Sequence, residues 1–136
     1  MAVFMITSEY LALSGSDHSP HVKSAVLTAD AAQLDSTDMA SGGWTEAEPG
    51  MKSGQLVVTW QDDVTSGSID GILWSLFGTK PTFELRPTSA SVGVNNPKYT
   101  GSVLCTNTQI GGTVGDLAAK STTWPTSGAI ARDITP

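Results

Sequence analysis

Hydrophobic and polar positions alternate in short runs along this chain, and each such run predicts a β-strand. Leu56, Val58 and Trp60 alternate with polar residues, which is the pattern of a strand with one buried face. The segment 82–86 alternates in the same way. Further strands are predicted over 3–13, 22–28, 99–110, 117–124 and 128–134, the last two joined by a hairpin turn at 125–127.

One segment repeats its apolar residues with the period of an α-helix. These residues recur at spacings of three and four and form a single apolar stripe; they are Ile69, Ile72, Leu73, Leu76 and Phe77. Gly78 follows the stripe and is predicted to end the helix in the left-handed conformation. So short a helix is not stable alone, and we therefore expect it to pack on a sheet with Trp74 mostly buried.

The order of strands, one helix and more strands predicts the fold class. We expect a mainly β protein, either a β-sandwich or a partial barrel with one short flanking α-helix. The 136 residues are rich in Thr, Ser and Gly, which suits strands and turns better than helices. A chain of this length can bury a core of its own, so residues 1–136 are predicted to form a single domain.

A polar stretch over 30–54 separates two predicted strands and is expected to be a long loop. It carries Gly-Gly and Pro-Gly pairs, which favour turns. Loops of this length are uncommon in compact domains and usually bind something or are disordered. Apolar and acidic side chains are interspersed, which favours a surface that becomes buried against a partner; they are Met39, Trp44, Glu46, Glu48 and Met51. A mobile excursion with short strand pieces is the alternative.

Charge and cysteine content exclude several classes of protein. The formal charge is −6, and the seven Lys and Arg residues are scattered singly, so no basic stripe is predicted for nucleic-acid binding. The single cysteine, Cys105, excludes an intrachain disulfide and is expected in the core. No signal peptide or membrane span is predicted, which indicates a protein made and kept in a cytoplasm.

No catalytic, metal or cofactor site is predicted. His18 and His21 lie beside an aspartate and could be metal ligands, but no second ligand cluster is visible, and a surface turn is the expected interpretation. No nucleophile, base and orienting group occur in a recognisable set. Trp44 and Trp124 are the tryptophans expected to be exposed, for a subunit contact or for stacking on a sugar.

Short motifs follow one another in a characteristic order across almost the whole chain. They begin with the predicted strand ending in Leu11–Leu13 and continue with 22–30, the Thr/Asp/Gly stretch of 34–44, Gly54–Trp60, the helix segment 72–78, Phe83–Pro87, and closing segments 115–123 and 128–132. In this order they resemble the major tail tube proteins of long-tailed, siphovirus-like bacteriophages. From its length of 136 residues, we expect the chain to lack the additional C-terminal immunoglobulin-like domain that some members carry.

The resemblance implies a subunit that assembles into six-fold rings, which stack into the tube through which DNA leaves the capsid. It implies a virion protein of the tail, assembled in the host cytoplasm, with tape measure, terminator and distal tail proteins as further partners and no cofactor. DNA would pass without sequence-specific binding along an acidic wall. We expect the 30–54 loop to contact the next ring, and self-assembly contacts at Met39, Trp44, Glu46, Glu48, Met51, Trp124 and Arg132.

Three other interpretations stay open at the level of sequence. The first is another ring or tube component of a virion or injection machine. The second is a glycan-binding β-sandwich module that uses exposed indoles. The third is a generic soluble β domain. A small hydrolase is disfavoured because the sequence lacks an acid, base and nucleophile set.

Overall fold

The computed structural model describes residues 8–61, 69–111 and 114–135. These residues form a mainly β structure with one α-helix, which confirms the predicted class. The strands are β1 (Tyr10–Leu13), β2 (Ser16–Asp17), β3 (Val22–Asp35), β4 (Ala47–Gln61), β5 (Thr82–Arg86), β6 (Lys98–Val103) and β7 (Ala119–Asp133), and the helix α1 (Ile69–Leu76) lies between β4 and β5.

The strands form one antiparallel sheet in the order β2-β1-β5-β6-β7-β4-β3. Strand β7 joins its two halves, because its residues up to Pro125 pair with β4 and those from Thr126 pair with β6. Gly128 has a φ of +88°, a conformation that glycine adopts without steric cost and that bends the strand. The sheet therefore changes direction within β7, as a partial barrel requires.

Side chains from both halves of the sheet meet in one hydrophobic cluster. Leu11 and Leu85 come from one half, and Leu56 and Val58 come from the other. Trp60 lies in the same cluster and donates its indole N–H to Thr122 Oγ1 at 3.0 Å. That bond satisfies the only polar atom of a fully buried ring. The predicted inward alternation of β4 is thus confirmed at its C-terminal end.

Helix α1 has the predicted position, and Gly78 follows it with a φ of +82°. Ile69 and Leu73 are buried against the sheet. The expectation for Trp74 was wrong, because its side chain is 62% exposed and stacks on Phe77. Eight residues make just over two turns, so one narrow face meets the core and the rest faces outward. Among the described residues no helix is long and apolar enough to cross a membrane.

Several strand boundaries differ from the predicted ones. The strand predicted over 99–110 ends at Val103, because the next two residues turn their N–H groups to Pro125 and Thr79 carbonyls outside the β6 ladder. The two strands predicted at the C-terminal end are the single strand β7, and 125–127 is paired strand rather than a turn. Of the strand predicted over 3–13, residues 3–7 lie outside the described residues.

The prediction of a long loop over 30–54 was wrong for most of that segment. Strands β3 and β4 continue through it as an antiparallel ribbon, paired as far as Asp35 with Ala47. Only residues 36–46 connect the two strands. The sequence did not reveal the strands because neither face of this ribbon is buried, and alternation of apolar and polar residues marks only half-buried strands.

Candidate assembly site

The β3–β4 hairpin projects beyond the core, and we call its projecting part, residues 28–53, the arm. Strand β7 pairs with β4 only from Gln55 to Gln61, so the strands of the arm pair only with each other. All residues of the arm are described, and none of them is buried. The arm is a two-stranded ribbon that exposes both faces, whereas the remainder of the hairpin belongs to the body.

The tip of the arm is ordered by its own side chains. Asp38 accepts a hydrogen bond from the Ala40 N–H at 3.0 Å, and the Ser41 hydroxyl accepts one from the Asp38 N–H, which forms a capping box around a short 3-10 turn. Thr37 Oγ1 accepts from the Glu46 N–H at 2.7 Å and donates to the Glu46 carbonyl. These bonds all join residues of the tip to one another, so the tip is preorganised.

Large apolar side chains protrude from this ordered scaffold. Trp44 is 79% exposed, and Leu34, Met39 and Met51 are also exposed. Single exposed apolar residues are ordinary, but a cluster of them marks an interaction surface. Five carboxylates and one cation accompany them; they are Asp30, Asp35, Asp38, Glu46, Glu48 and Lys52. The arm therefore offers an apolar and acidic surface.

Five of the seven predicted contact residues lie together on the arm, and two do not. The five are Met39, Trp44, Glu46, Glu48 and Met51. The prediction that Trp124 is exposed was wrong, because its side chain is 1% exposed in the core and donates to the Asn107 carbonyl at 3.0 Å. Arg132 is exposed but sits on β7, where its Nε donates to Tyr99 Oη at 3.3 Å. The sugar-stacking interpretation thereby loses one of its two tryptophans.

A second set of exposed apolar side chains was missed at the level of sequence. Trp74 of α1 stacks on Phe77, the residue that follows the helix, with the ring centroids 6.0 Å apart. Ile110, Val114 and Leu117 are exposed in the segment before β7. Ile110 and Val114 stand next to glycines in the sequence, where a core strand is not expected to continue. Phe77 gave no such signal, because its spacing in the helical apolar stripe predicted that it would be buried.

The candidate metal and thiol residues are accounted for by packing. The predicted surface position of His18 was wrong, since it is buried edge-on against Trp60 with the ring centroids 6.4 Å apart. Burial lowers the pKa of His18, an effect that the charge of Asp17 opposes. Cys105 is in the core as predicted, and burial raises its pKa to about 11. No cluster of three potential metal ligands occurs among the described residues.

Solved structures, but no sequence comparisons, show what this chain is similar to. No protein-family model and no curated protein sequence matches the chain. A structure of the SPP1 tail tube superimposes with a TM-score of 0.74 at 12% identity, covering 98% of this chain and 80% of the other. The chain has the fold of a tail tube subunit.

Two structures of gene transfer agent particles share the same fold. One is a virion of the native particle, with a TM-score of 0.76 and 15% identity over 96% of this chain and 98% of the other. The other is the tail of an empty particle with C6 symmetry, with a TM-score of 0.69 and 17% identity over 91% and 92% of the two chains. At these identities the likeness shows the fold, and it extends over nearly the whole chain in each case.

Proposed function

We propose that this chain is a structural virion protein that assembles into six-fold rings, which stack into the tail tube that conducts DNA during ejection. The observation that carries the proposal is the arm, an ordered ribbon with both faces exposed, on a body that has the tail tube fold. The likeness to a tail with C6 symmetry supports the six-fold ring. The protein would then be a component of the virion tail, without enzymatic activity and without a cofactor.

The energetics of the arm support a role in contact between rings. An isolated two-stranded hairpin is at best marginally stable in water. Exposed apolar side chains such as Met39 and Trp44 add nothing to the stability of a free ribbon. Burial on a neighbouring ring would remove them from water at about 25 cal/mol per Å². The arm would therefore reach its full stability only in the assembled tube.

Contacts within a ring would involve the free edges of the sheet. Strand β3, fourteen residues long, is at one edge of the sheet. A long unpaired edge is a template for another strand, and a head-to-tail contact that closes gives a ring. Arg132 remains a candidate for such contacts. The tape measure, terminator and distal tail proteins are the further partners that the tail tube function implies.

The charge of the chain supports passage of DNA rather than its capture. The formal charge of −6 per subunit repels phosphate. A lumen lined by such subunits would let DNA slide without sequence-specific contacts. This part of the proposal predicts no measurable binding of duplex DNA by assembled tubes at physiological salt.

Deletion of residues 39–48 tests the ring-to-ring role of the arm. We expect the shortened subunit to keep the melting temperature of the parent, because none of the deleted residues is buried. It should form no tubes by negative-stain electron microscopy under conditions where the parent does. Val94→Ser is the matched control, since it removes an exposed apolar side chain outside the arm. Long tubes from the deletion variant would show that the arm does not stack the rings.

A further inference from the structure

The first half of β7 has an edge that no described strand pairs. Its residues 119–125 pair with β4 on one side, whereas β6 pairs with β7 only from Thr126 onward. An unpaired edge is a template for the strand of another chain. A subunit that assembles in one defined way must therefore control what pairs at this edge.

The segment that follows β6 lies along this edge, and we call its residues 104–109 the edge segment. Its first residue continues the pairing of β6, since the Leu104 N–H donates to the Pro125 carbonyl at 2.9 Å. Pro125 itself has no N–H, and proline within a sheet is found where no ladder bond is required of it. At this position the edge of β7 therefore lacks a donor, and its acceptor is occupied.

Two side-chain amides occupy further backbone groups of the same edge. Asn107 Nδ2 donates to the Thr123 carbonyl at 3.2 Å. Gln109 Oε1 accepts from the Ser121 N–H at 3.0 Å. Ser121, Thr123 and Pro125 are alternate residues, and alternate residues of an antiparallel strand direct their backbone groups to the same side. The edge segment thus lies where another antiparallel strand would pair, with side-chain amides in place of backbone amides.

The backbone of the edge segment is anchored by other contacts. The Trp124 indole N–H donates to the Asn107 carbonyl at 3.0 Å. The buried Cys105 bonds to the turn after α1, since its carbonyl accepts from the Gly78 N–H at 2.8 Å and its N–H donates to the Thr79 carbonyl at 3.0 Å. These bonds do not involve the side chains of the two amides. Substitution of the amides should therefore uncover the edge of β7 without unfolding the segment.

We propose that Asn107 and Gln109 determine the specificity of assembly by covering the edge of β7, which leaves the edge of β3 open to another copy of this chain. This inference rests on the proposed tube function. Strand β3 has fourteen residues at one end of the sheet, whereas β2 at the other end has two and offers little to pair with. A ring closes when every subunit makes the same contact. Pairing at a second long edge would divert subunits into irregular sheets.

Asn107→Ala with Gln109→Ala tests the proposal. At concentrations at which the parent forms uniform tubes, we expect this double variant to form irregular sheets that bind thioflavin T, because the uncovered edge of β7 pairs with other chains. Negative-stain electron microscopy and thioflavin T fluorescence measure the two products. Asn95→Ala is the matched control, since it removes an exposed amide from the loop before β6, and it should assemble as the parent does.

A rescue variant separates edge pairing from a loss of stability. Thr123→Lys, introduced into the double variant, adds a charge to the uncovered edge at an exposed position. Charged side chains on an edge strand block its pairing with another chain. The triple variant should therefore regain uniform tubes and lose the thioflavin T fluorescence.

Hydrogen exchange of the soluble subunit, measured by nuclear magnetic resonance, tests the cover without assembly. In Gln109→Ala, the Ser121 N–H loses its acceptor and should exchange about five-fold faster, as expected for the loss of one hydrogen bond. The N–H of Thr122, which pairs with Val58 of β4, should exchange at the rate of the parent.

The outcomes separate the inference from the function on which it rests. Uniform tubes from the double variant, without thioflavin T binding, would overturn the inference and leave the tube function intact. An unchanged exchange rate at Ser121 in Gln109→Ala would also overturn it, as would irregular sheets that persist after Thr123→Lys. If the parent forms no tubes even with tail assembly partners present, the proposed function fails. The thioflavin T comparison between parent and double variant then still decides whether the amides cover the edge.

Discussion

The two parts of the β3–β4 hairpin share one ladder of backbone hydrogen bonds but have opposite surroundings. In the body, β4 also pairs with β7, and its residues Leu56, Val58 and Trp60 are fully buried. In the arm, the same two strands pair only with each other, and none of its residues is buried. Backbone pairing therefore indicates little about where the stability of a sheet originates.

The difference has a physical cause. A backbone hydrogen bond contributes only about 1 kcal/mol net, because folding exchanges it for bonds to water. Burial of a large apolar side chain contributes roughly 1.5–3 kcal/mol. The body has both contributions, and the arm has the first together with its capped tip. The arm therefore leaves exposed the apolar side chains that we propose to be covered by a neighbouring ring.

The largest effect is expected in the body half of the hairpin. Trp60→Ala removes a fully buried indole and its hydrogen bond to Thr122, and it should lower the free energy of unfolding by about 3–5 kcal/mol. Urea denaturation followed by circular dichroism measures this loss. A change below 1 kcal/mol would contradict the assignment of Trp60 to the core.

A smaller effect is expected at Gly54, where the body meets the arm. A Cβ atom at this position would lie 2.6 Å from Ile130 Cδ1 and 3.0 Å from Thr126 Oγ1. Gly54→Ala should therefore cost about 1–3 kcal/mol through overpacking and shift the base of the arm. Gly71→Ala in α1 is the control, because nothing lies within 4 Å of the added Cβ, and it should stabilise by up to about 1 kcal/mol. If both substitutions changed the free energy of unfolding equally, the inference that Gly54 is closely packed would be contradicted.

A pH-dependent loss of stability should come from His18 in the body. Burial lowers its pKa below the usual 6.5, with a contribution from His21 that Asp17 opposes. The folded state thus favours the neutral ring, so this contribution is complete above about pH 6.5 and is lost as pH falls toward the folded pKa. Thermal denaturation between pH 7.5 and pH 5 measures it. His18→Gln should flatten this part of the profile, and an unchanged slope would contradict the assignment.

The smallest effect on stability is expected in the arm. Trp44→Ala should change the free energy of unfolding by less than about 0.5 kcal/mol, because the side chain is mostly exposed. The same substitution should reduce tube formation, measured by sedimentation. Destabilisation comparable to that of Trp60→Ala would show that the arm packs on the body. It would contradict the claim that the two regions differ in how much they contribute to stability.

The sequence predicted the body better than the arm. The strand over 82–86, the inward residues of β4 and the end of α1 at Gly78 followed from local patterns, since each pattern reflects burial or backbone conformation within its own segment. The strands of the ribbon over 30–54 could not be predicted in this way. They pair with each other and bury neither face, so their apolar and polar residues do not alternate. Five of the seven residues that were predicted to make assembly contacts nevertheless lie on the arm.

The remaining errors came from long-range packing. Trp124 follows two threonines and precedes a proline, and only the fold brings its ring centroid to within 6.3 Å of that of Trp60. His18 was expected on the surface because its sequence neighbours favour a turn, and only the fold places it against Trp60. Ile110 and Leu117 were expected in strands, but both lie outside β6 and β7, and their side chains are exposed.

Electron cryomicroscopy of the purified chain at increasing concentration tests the central claim most directly. The account predicts hollow tubes of uniform diameter with six subunits per ring, in which the arm of each subunit contacts the next ring. Tubes in which the arms project freely into solvent, with rings held by other surfaces, would contradict it. So would monomers at every concentration that remain monomeric when tail assembly partners are added.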